Sequence, residues 1–379
     1  MDTFSLPTKI VLGGKGLDAL LANVKRAFVV TDAFMMSSER VRYITDRLDR
    51  LRADYKVFSD VGADPDTEMV AAGMAILVDF HPEVVITFGG GSAIDAAKAI
   101  VYFASREGKM KDCPFIAVPT TSGTGSEVSK FAVITDRAKG IKYPLIDESL
   151  LPDYAVLDAT LTTSVPPSVT ADTGMDVFTH AVEAFACTEA NAFSDAIAEK
   201  AIELVHTHLL TAYSEPDNLE ARQGMHNASC LAGVAFSNAG LGLCHGMAHA
   251  LGAQFHIPHG RANAILLPFV MGFNAGCWNG ALTPTSKRYG ELAAIIGQGT
   301  GSTRQSALNL IHQARRYNSR MKIPENIKAA GVDRDAFESM LTTMAEAALA
   351  DRCTQTNPIP CSLDDIITLY RKAYDGRLV

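Results

Sequence analysis

The chain has 379 residues, 47% of them hydrophobic and 20% charged, with a formal net charge of −8; this is the make-up of an ordinary globular protein, long enough for two hydrophobic cores. The acidic balance and the lack of any Lys/Arg-rich run exclude a surface built to neutralise nucleic-acid phosphates. No apolar run reaches membrane-spanning length, the first residues lack a basic-then-apolar signal, and seven scattered cysteines without a C-x-x-C pair point to a reducing, cytoplasmic setting rather than a disulfide framework.

From Lys9 to about residue 158, short β-branched or aromatic runs alternate with segments of helical period. Lys9-Ile10-Val11-Leu12 and Arg26-Ala27-Phe28-Val29-Val30-Thr31 read as strands, the second followed by a helix through Val41-Arg42-Tyr43-Ile44. Tyr55-Lys56-Val57-Phe58 precedes a turn over 62–66 and a helix to about Phe80; Glu83-Val84-Val85-Ile86-Thr87-Phe88 precedes a helix from Ser92. Strand and helix in alternation predict a parallel sheet covered on both faces.

Three features of this half suit a ligand. In Gly89-Gly90-Gly91-Ser92 a strand runs into a glycine-only turn and a helix start, where free N–H groups and the positive dipole end can meet a pyrophosphate; a plain tight turn is the alternative. This is neither G-x-G-x-x-G nor a P-loop, and it follows three or four strands, so a dinucleotide here would be bound in another topology than the usual fingerprint. Phe115-Ile116-Ala117-Val118-Pro119 then leads into Thr120-Thr121-Ser122-Gly123-Thr124-Gly125-Ser126-Glu127, a hydroxyl-rich loop at a strand's carboxyl end, where ligands of parallel sheets bind. Asp32 ends its strand and could accept hydrogen bonds from a ribose, or simply cap a helix.

Two prolines and four hydroxyls in Leu161–Ser168 mark a boundary near residue 162, beyond which the chain is helical in period nearly to its end. The first helix places Asp176 and His180 four apart on one face of a mostly apolar segment, a costly setting for a lone carboxylate. Helices over about 194–213, 219–236, 284–296, 303–317, 335–350 and 363–374 read as bundle scaffold. Between them stands Gly242–Gly260, which holds four of the ten histidines (His245, His249, His256, His259) among glycines and aliphatics. His245 and His249 share a helix face, and such a density of imidazoles in an apolar setting suits a buried metal completed by residues from elsewhere.

Gly89-Gly90-Gly91-Ser92 with Asp95 and Lys98, the Pro119–Val128 loop, Asp176 with His180, His245-Gly-Met-Ala-His249, Pro258-His259-Gly260 and Asn357-Pro358 together resemble, in order and over essentially the whole chain, the iron-containing (group III) alcohol dehydrogenases. The resemblance implies a dehydroquinate-synthase-like architecture: an α/β dinucleotide-binding domain with a Rossmann-like parallel sheet (1–161) and an all-α metal-binding domain (162–379). It implies Asp176, His180, His245 and His259 as ligands of Fe(II), with Zn(II) admissible, and His249 as a non-ligand proton relay. It also implies contacts to NAD(H) from Gly89, Gly90, Gly91, Ser92, Asp95, Lys98, Thr120, Thr121, Ser126, Val133 and Lys142, with Asp32 selecting NAD over NADP.

One carboxylate and three imidazoles leave coordination positions open, as a catalytic site requires, and suit Fe(II) or Zn(II). The implied reaction is hydride transfer between nicotinamide and a small primary alcohol or aldehyde, with Phe131, Phe255 and Cys353 as candidate substrate-wall residues. A 4-hydroxybutyrate or lactaldehyde/propanediol reductase of the same family is the alternative. A dehydroquinate-synthase-like lyase would need several cations near the metal, whereas Arg261 is the nearest one in sequence; a glycerol-dehydrogenase-like zinc enzyme would use fewer histidines. The resemblance further implies a homodimer or larger homo-oligomer. Phe4-Ser5-Leu6-Pro7 is similar to propanol and ethanol dehydrogenases of fermentation, some of them housed in bacterial microcompartments.

Overall fold

A computed structural model describes residues 3–110, 113–137, 141–277 and 281–376. The chain divides between Thr163 and Ser164 into two compact units, and Thr3 and Phe4 belong with the second, where Phe4 stacks on Phe193 at 5.8 Å. The expected partition at 161/162 therefore shifts by two residues, and the amino-terminal residues change unit. Ring stacking between residues 189 positions apart leaves no local signal.

In the first unit the strands and helices run β1 (Lys9–Leu12), α1 (Gly14–Leu21), β2 (Arg26–Asp32), α2 (Ala33–Ser37), α3 (Arg42–Leu51), β3 (Asp54–Val61), α4 (Thr67–Phe80), β4 (Val84–Gly89), α5 (Gly91–Arg106), β5 (Phe115–Pro119), β6 (Phe131–Asp136), β7 (Ile141–Ile146) and β8 (Tyr154–Leu157). Six strands form a wholly parallel sheet in the order β1-β8-β5-β4-β2-β3. Phe28, Val30 and Val85 enter one core with Phe58, Leu77 and Ile100; Ala27, Val29, Ile86 and Phe88 enter the other with Leu17, Ile44 and Leu48. Period-two alternation with both faces buried is the signature of a sheet sandwiched between helices. The antiparallel hairpin β6–β7 was not expected from the alternation of strands and helices.

The strand order places a site. From β2 the chain steps outward to β3, returns past β2 to β4, and then proceeds in the opposite direction to β5. The winding thus reverses between β2 and β4, and ligands of such sheets bind in the crevice beyond the carboxyl ends at that reversal. Those two ends carry Asp32 and Gly89.

The second unit is helical: α6 (Pro167–Ala186), α7 (Ala192–Ser214), α8 (Leu219–Ala239), α9 (Leu243–Phe255), α10 (His259–Asn274), α11 (Thr285–Ile295), α12 (Thr303–Arg320), α13 (Arg334–Ala350) and α14 (Leu363–Asp375). The six scaffold helices expected from periodicity all form. α6 opens with Pro167 in its first turn, where a missing N–H costs nothing. It packs on α7, α8 and α10, while α9 packs on α10 and α13. Every α6 residue from Thr170 to Ala186 except Thr173 is buried, so its polar side chains face protein, not water. Among the described residues no single helix is long and apolar enough to cross a membrane; α8 and α9 suffice only together, and they meet at a 107° bend.

Candidate metal centre

Helix α6 presents Asp176 and His180 one turn apart, α9 presents His245 and His249, and α10 presents His259 and Asn263. One ligand atom from each of Asp176, His180, His245 and His259 lies within 4.8 Å of the others. Asp176 Oδ1 is 3.4 Å from His259 Nε2 and 3.8 Å from His245 Nε2. The Asn263 amide donates to Asp176 Oδ1 at 2.8 Å and lies 3.1 Å from both His245 Nε2 and His259 Nε2. One amide has two hydrogens for these three acceptors. His180 adds a buried Nδ1 with no hydrogen-bond partner among the described residues.

The electrostatics agree with a cation. Burial would raise the Asp176 carboxyl, yet His180, His259, His245 and the Asn263 amide outweigh it and hold it below the usual carboxylate range. Burial, reinforced by the charges of His180 and His259, pushes His245 well below the usual imidazole value. An ionised carboxylate beside a neutral imidazole is the protonation state a metal requires. The donor set, the surplus acceptors and the unpartnered His180 nitrogen fit a divalent ion such as Fe(II) or Zn(II).

Glu183, absent from the sequence reading, fixes the orientation of His245. It is 5% exposed; its Oε2 accepts from His245 Nδ1 at 2.5 Å and its Oε1 from the Cys244 N–H at 2.7 Å. Burial pushes its carboxyl up to about 7, against the backbone N–H groups of Cys244 and Gly242. With Nδ1 engaged, Nε2 is turned toward the centre, as outer carboxylates commonly arrange for ligating histidines. The spacing Asp176-His180-Glu183, all on one face of a helix, was the available signal. Asn357 supports the same helix start, accepting from the Leu243 N–H at 3.1 Å and pairing with Asn274.

The other two histidines of the cluster divide. His249 stacks on His259 at 5.3 Å, and its Nδ1 is bonded to Asp351 Oδ2 at 2.8 Å, so it adjoins the four-residue group without joining it. His256 is the exposed, left-handed C-cap of α9, with φ 54°. Of the three substrate-wall candidates, Cys353 lies with His249 and Asp351. Phe255 ends α9, six residues and about 9 Å of helix beyond His249. Phe131 opens β6 in the other unit.

Around the β2/β4 crevice, Asp32 Oδ1 caps α2 by accepting from the Met35 N–H at 2.9 Å, and Oδ2 lies 3.2 Å from where a Cβ on Gly89 would stand. Both sequence alternatives, cap and crevice carboxylate, are compatible in one side chain. A Cβ on Gly91 would come within 2.6 Å of Thr124 Cγ2, so only glycine lets the turn meet the threonine loop. The Thr120 N–H donates to Gly89 O at 2.9 Å, and its buried Oγ1 has no partner among the described residues, a polar atom available to a cofactor. Thr121 borders Gly90, and the Ser92 hydroxyl donates to Ala63 O at 2.6 Å. Asp95 ties two further expected residues together, accepting from Ser126 Oγ at 2.6 Å and from the Val133 N–H at 3.0 Å.

Lys98 departs from expectation. It is 1% exposed, and its ammonium donates to Ser129 O at 2.7 Å, Phe131 O at 2.8 Å and Ser129 Oγ at 3.3 Å. Its hydrogens are thus spent on shaping the loop rather than offered to a cofactor. Lys142 pairs through its backbone with Thr135 in the hairpin; its side chain lies outside the described residues.

Beneath the loop Glu127 is 2% exposed, and burial pushes its carboxyl up to about 7, against its own backbone N–H and the Lys98 charge. The folded value lies above the 4.5 of an unperturbed glutamate, so this group's contribution to stability is fully present below that value and is lost as pH rises through 7. Glu127→Gln should therefore stabilise the protein at pH 8 by about 1–3 kcal/mol and give almost no gain at pH 4.5. Urea midpoints of both proteins at the two pH values test this; an equal gain at both would refute the assignment.

The family model for iron-containing alcohol dehydrogenase matches residues 7–159, and that for the Fe-containing alcohol dehydrogenase family, C-terminal, matches residues 170–374. The chain is 45% identical over 373 residues to the 1-propanol dehydrogenase PduQ of Salmonella typhimurium, covering 97% of this chain and 98% of that protein. It is 38% identical over 392 residues to the NADPH-dependent butanol dehydrogenase of Clostridium saccharobutylicum, covering 99% of each. The crystal structure of a 1,3-propanediol oxidoreductase superposes with a TM-score of 0.90 at 32% identity, covering 99% of this chain and 100% of that one. On matches that run through both units, the chain belongs to the iron-containing alcohol dehydrogenase family and is a nicotinamide-dependent oxidoreductase of alcohols.

Proposed function

We propose that this enzyme interconverts short primary alcohols of about three or four carbons with their aldehydes, using Fe(II) held by Asp176, His180, His245 and His259 and preferring NAD(H). The observation that carries the reading is the convergence of one ionised carboxylate and three imidazoles, with the relay candidate His249 stacked against one of them. The named activities of the relatives, on 1-propanol, butanol and 1,3-propanediol, support the size range.

When bound, the cation polarises the carbonyl or acidifies the alcohol, and nicotinamide carries the hydride. The chain's part is placement and proton handling. Glu183 keeps His245 in the tautomer that directs Nε2 inward. His249, its Nδ1–H engaged by Asp351, keeps Nε2 free to accept the alcohol proton in oxidation and to return it in reduction. Asp32 would accept the hydroxyls of the adenosine ribose and repel a 2′-phosphate. The lyase alternative loses its cation, because Arg261 is bound bidentately by Asp172 at 3.0 and 3.1 Å. Seven free cysteines support a cytoplasmic enzyme, and the edge strand β1, with Leu12 67% exposed, supports self-association into a dimer or larger.

The test loads the protein anaerobically with Fe(II) and follows NADH with acetaldehyde, propanal, butanal, lactaldehyde and succinic semialdehyde. Propanal or butanal should show the highest kcat/KM, a chelator should abolish turnover, and Fe(II) should restore it. If no aldehyde drives metal-dependent NADH oxidation, the reading fails; if lactaldehyde or succinic semialdehyde leads, the substrate class moves to the alternative. Asp32→Gly should relax discrimination against NADPH by about tenfold or more, the scale of one charge repulsion at a partly exposed site. An unchanged preference removes that role.

A further inference from the structure

Beside the four-residue centre the second unit holds another convergence of donors. His249, Asp351 and Cys353 each offer a ligand atom within 4.8 Å of the other two. Asp351 Oδ2 meets His249 Nδ1 at 2.8 Å, and Oδ1 accepts the Cys353 N–H at 2.8 Å. The Cys353 Sγ lies within 4.8 Å of ligand atoms of both Asp351 and His249. An imidazole nitrogen and a backbone N–H thus meet on one carboxylate that is itself largely buried, with the thiol beside them.

The donors sit on anchored backbone. Asp351 is the C-cap of α13, the Thr354 hydroxyl donates to Ala348 O at 2.6 Å, and Tyr370 OH donates to Met247 O at 2.7 Å on α9. His249 is 43% exposed, which leaves an approach from solvent.

We propose that His249, Asp351 and Cys353 form a second cation site, separate from the iron centre, that takes a thiophilic divalent ion such as Zn(II). A nitrogen, an oxygen and a sulfur donor with a fourth position left to water match tetrahedral zinc, and the thiolate selects against harder ions. The protons balance. The thiol gives its proton to solvent, and His249 stays neutral by moving its remaining proton from Nδ1 to Nε2. Carboxylate and thiolate then neutralise the two positive charges. That proton shift occupies Nε2, the nitrogen left to accept a proton from the alcohol, so zinc beyond one equivalent switches the enzyme off. This consequence, unlike the site itself, rests on the reading of His249 as the relay.

The test uses the full chain, freed of metal with a chelator and titrated anaerobically with Co(II) as an absorbing substitute for Zn(II). Wild type should bind two equivalents, one of them with a thiolate-to-cobalt charge-transfer band. Cys353→Ser should bind one and lose the band; Asp176→Asn should bind one and keep it. A single equivalent in wild type, or a band that survives Cys353→Ser, overturns the site. On the Fe(II)-loaded enzyme, added Zn(II) should lower turnover at least tenfold in wild type and much less in Cys353→Ser. Full turnover with the second site demonstrably filled would refute the relay reading and leave the site standing.

Discussion

Asp176→Asn is expected to strip the protein of iron and to lower kcat/KM for its aldehyde by about 1000-fold or more, the scale on which a lost Lewis acid acts. Asp176 supplies the only negative charge among the four converging side chains. It is 3% exposed, so water cannot replace it. The asparagine is nearly isosteric and can still meet the Asn263 amide, so the helix packing should hold and the effect should fall on metal retention. Glu183→Gln makes the informative contrast. It leaves the ligand set whole but weakens the anchor of His245, and should cost about 10–100-fold in iron affinity. Iron content by elemental analysis and turnover of the reconstituted proteins check both. Stoichiometric iron in Asp176→Asn, with turnover within tenfold of wild type, would remove Asp176 from the centre.

The largest effect on stability is expected from Gly260→Ala. Gly260 stands in the first turn of α10, directly after His259, and a Cβ there would come within 2.7 Å of the Asp172 carbonyl carbon in α6, overlapping its oxygen. Backbone cannot rotate away as a side chain can, so the two helices must separate. Overpacking of this kind costs about 3 kcal/mol, well above the ~1 kcal/mol that alanine gains in helix propensity. For a unit of this size the melting temperature should fall by about 6–12 °C. Because Asp176 and His259 lie on those two helices, the same displacement should loosen the metal. Calorimetry with and without Fe(II) reads both effects; an unchanged melting temperature would show that α6 and α10 are not held this tightly.

Some elements of this protein were legible in its sequence before folding, and others were not. The parallel sheet was, because β-branched runs such as Phe28-Val29-Val30 and Val84-Val85-Ile86 alternate with helical periods, and burial on both faces demands that composition. The bundle helices were, because period 3.6 survives without any knowledge of neighbours. Of the candidate metal quartet, the Asp176/His180 half was legible through i,i+4 spacing and the cost of polar groups on an apolar face, whereas the choice of His245 and His259 over the neighbouring His249 and His256 rested on the family resemblance. The hairpin β6–β7 was hidden, since its two strands pair antiparallel with each other and join none of the six parallel strands.

Sequence alone, then, determined the parallel sheet, the helical second half and the polar residues placed on apolar helix faces, because those follow from local periodicity and side-chain chemistry. Tertiary structure alone decided that Glu183 orients His245, that Lys98 is consumed within its loop, and that Cys353 meets His249 on Asp351. Each of those roles depends on where a hydrogen bond finds its partner 31 to 102 positions away. A buried polar group must be satisfied by something, but only the packed fold specifies by what.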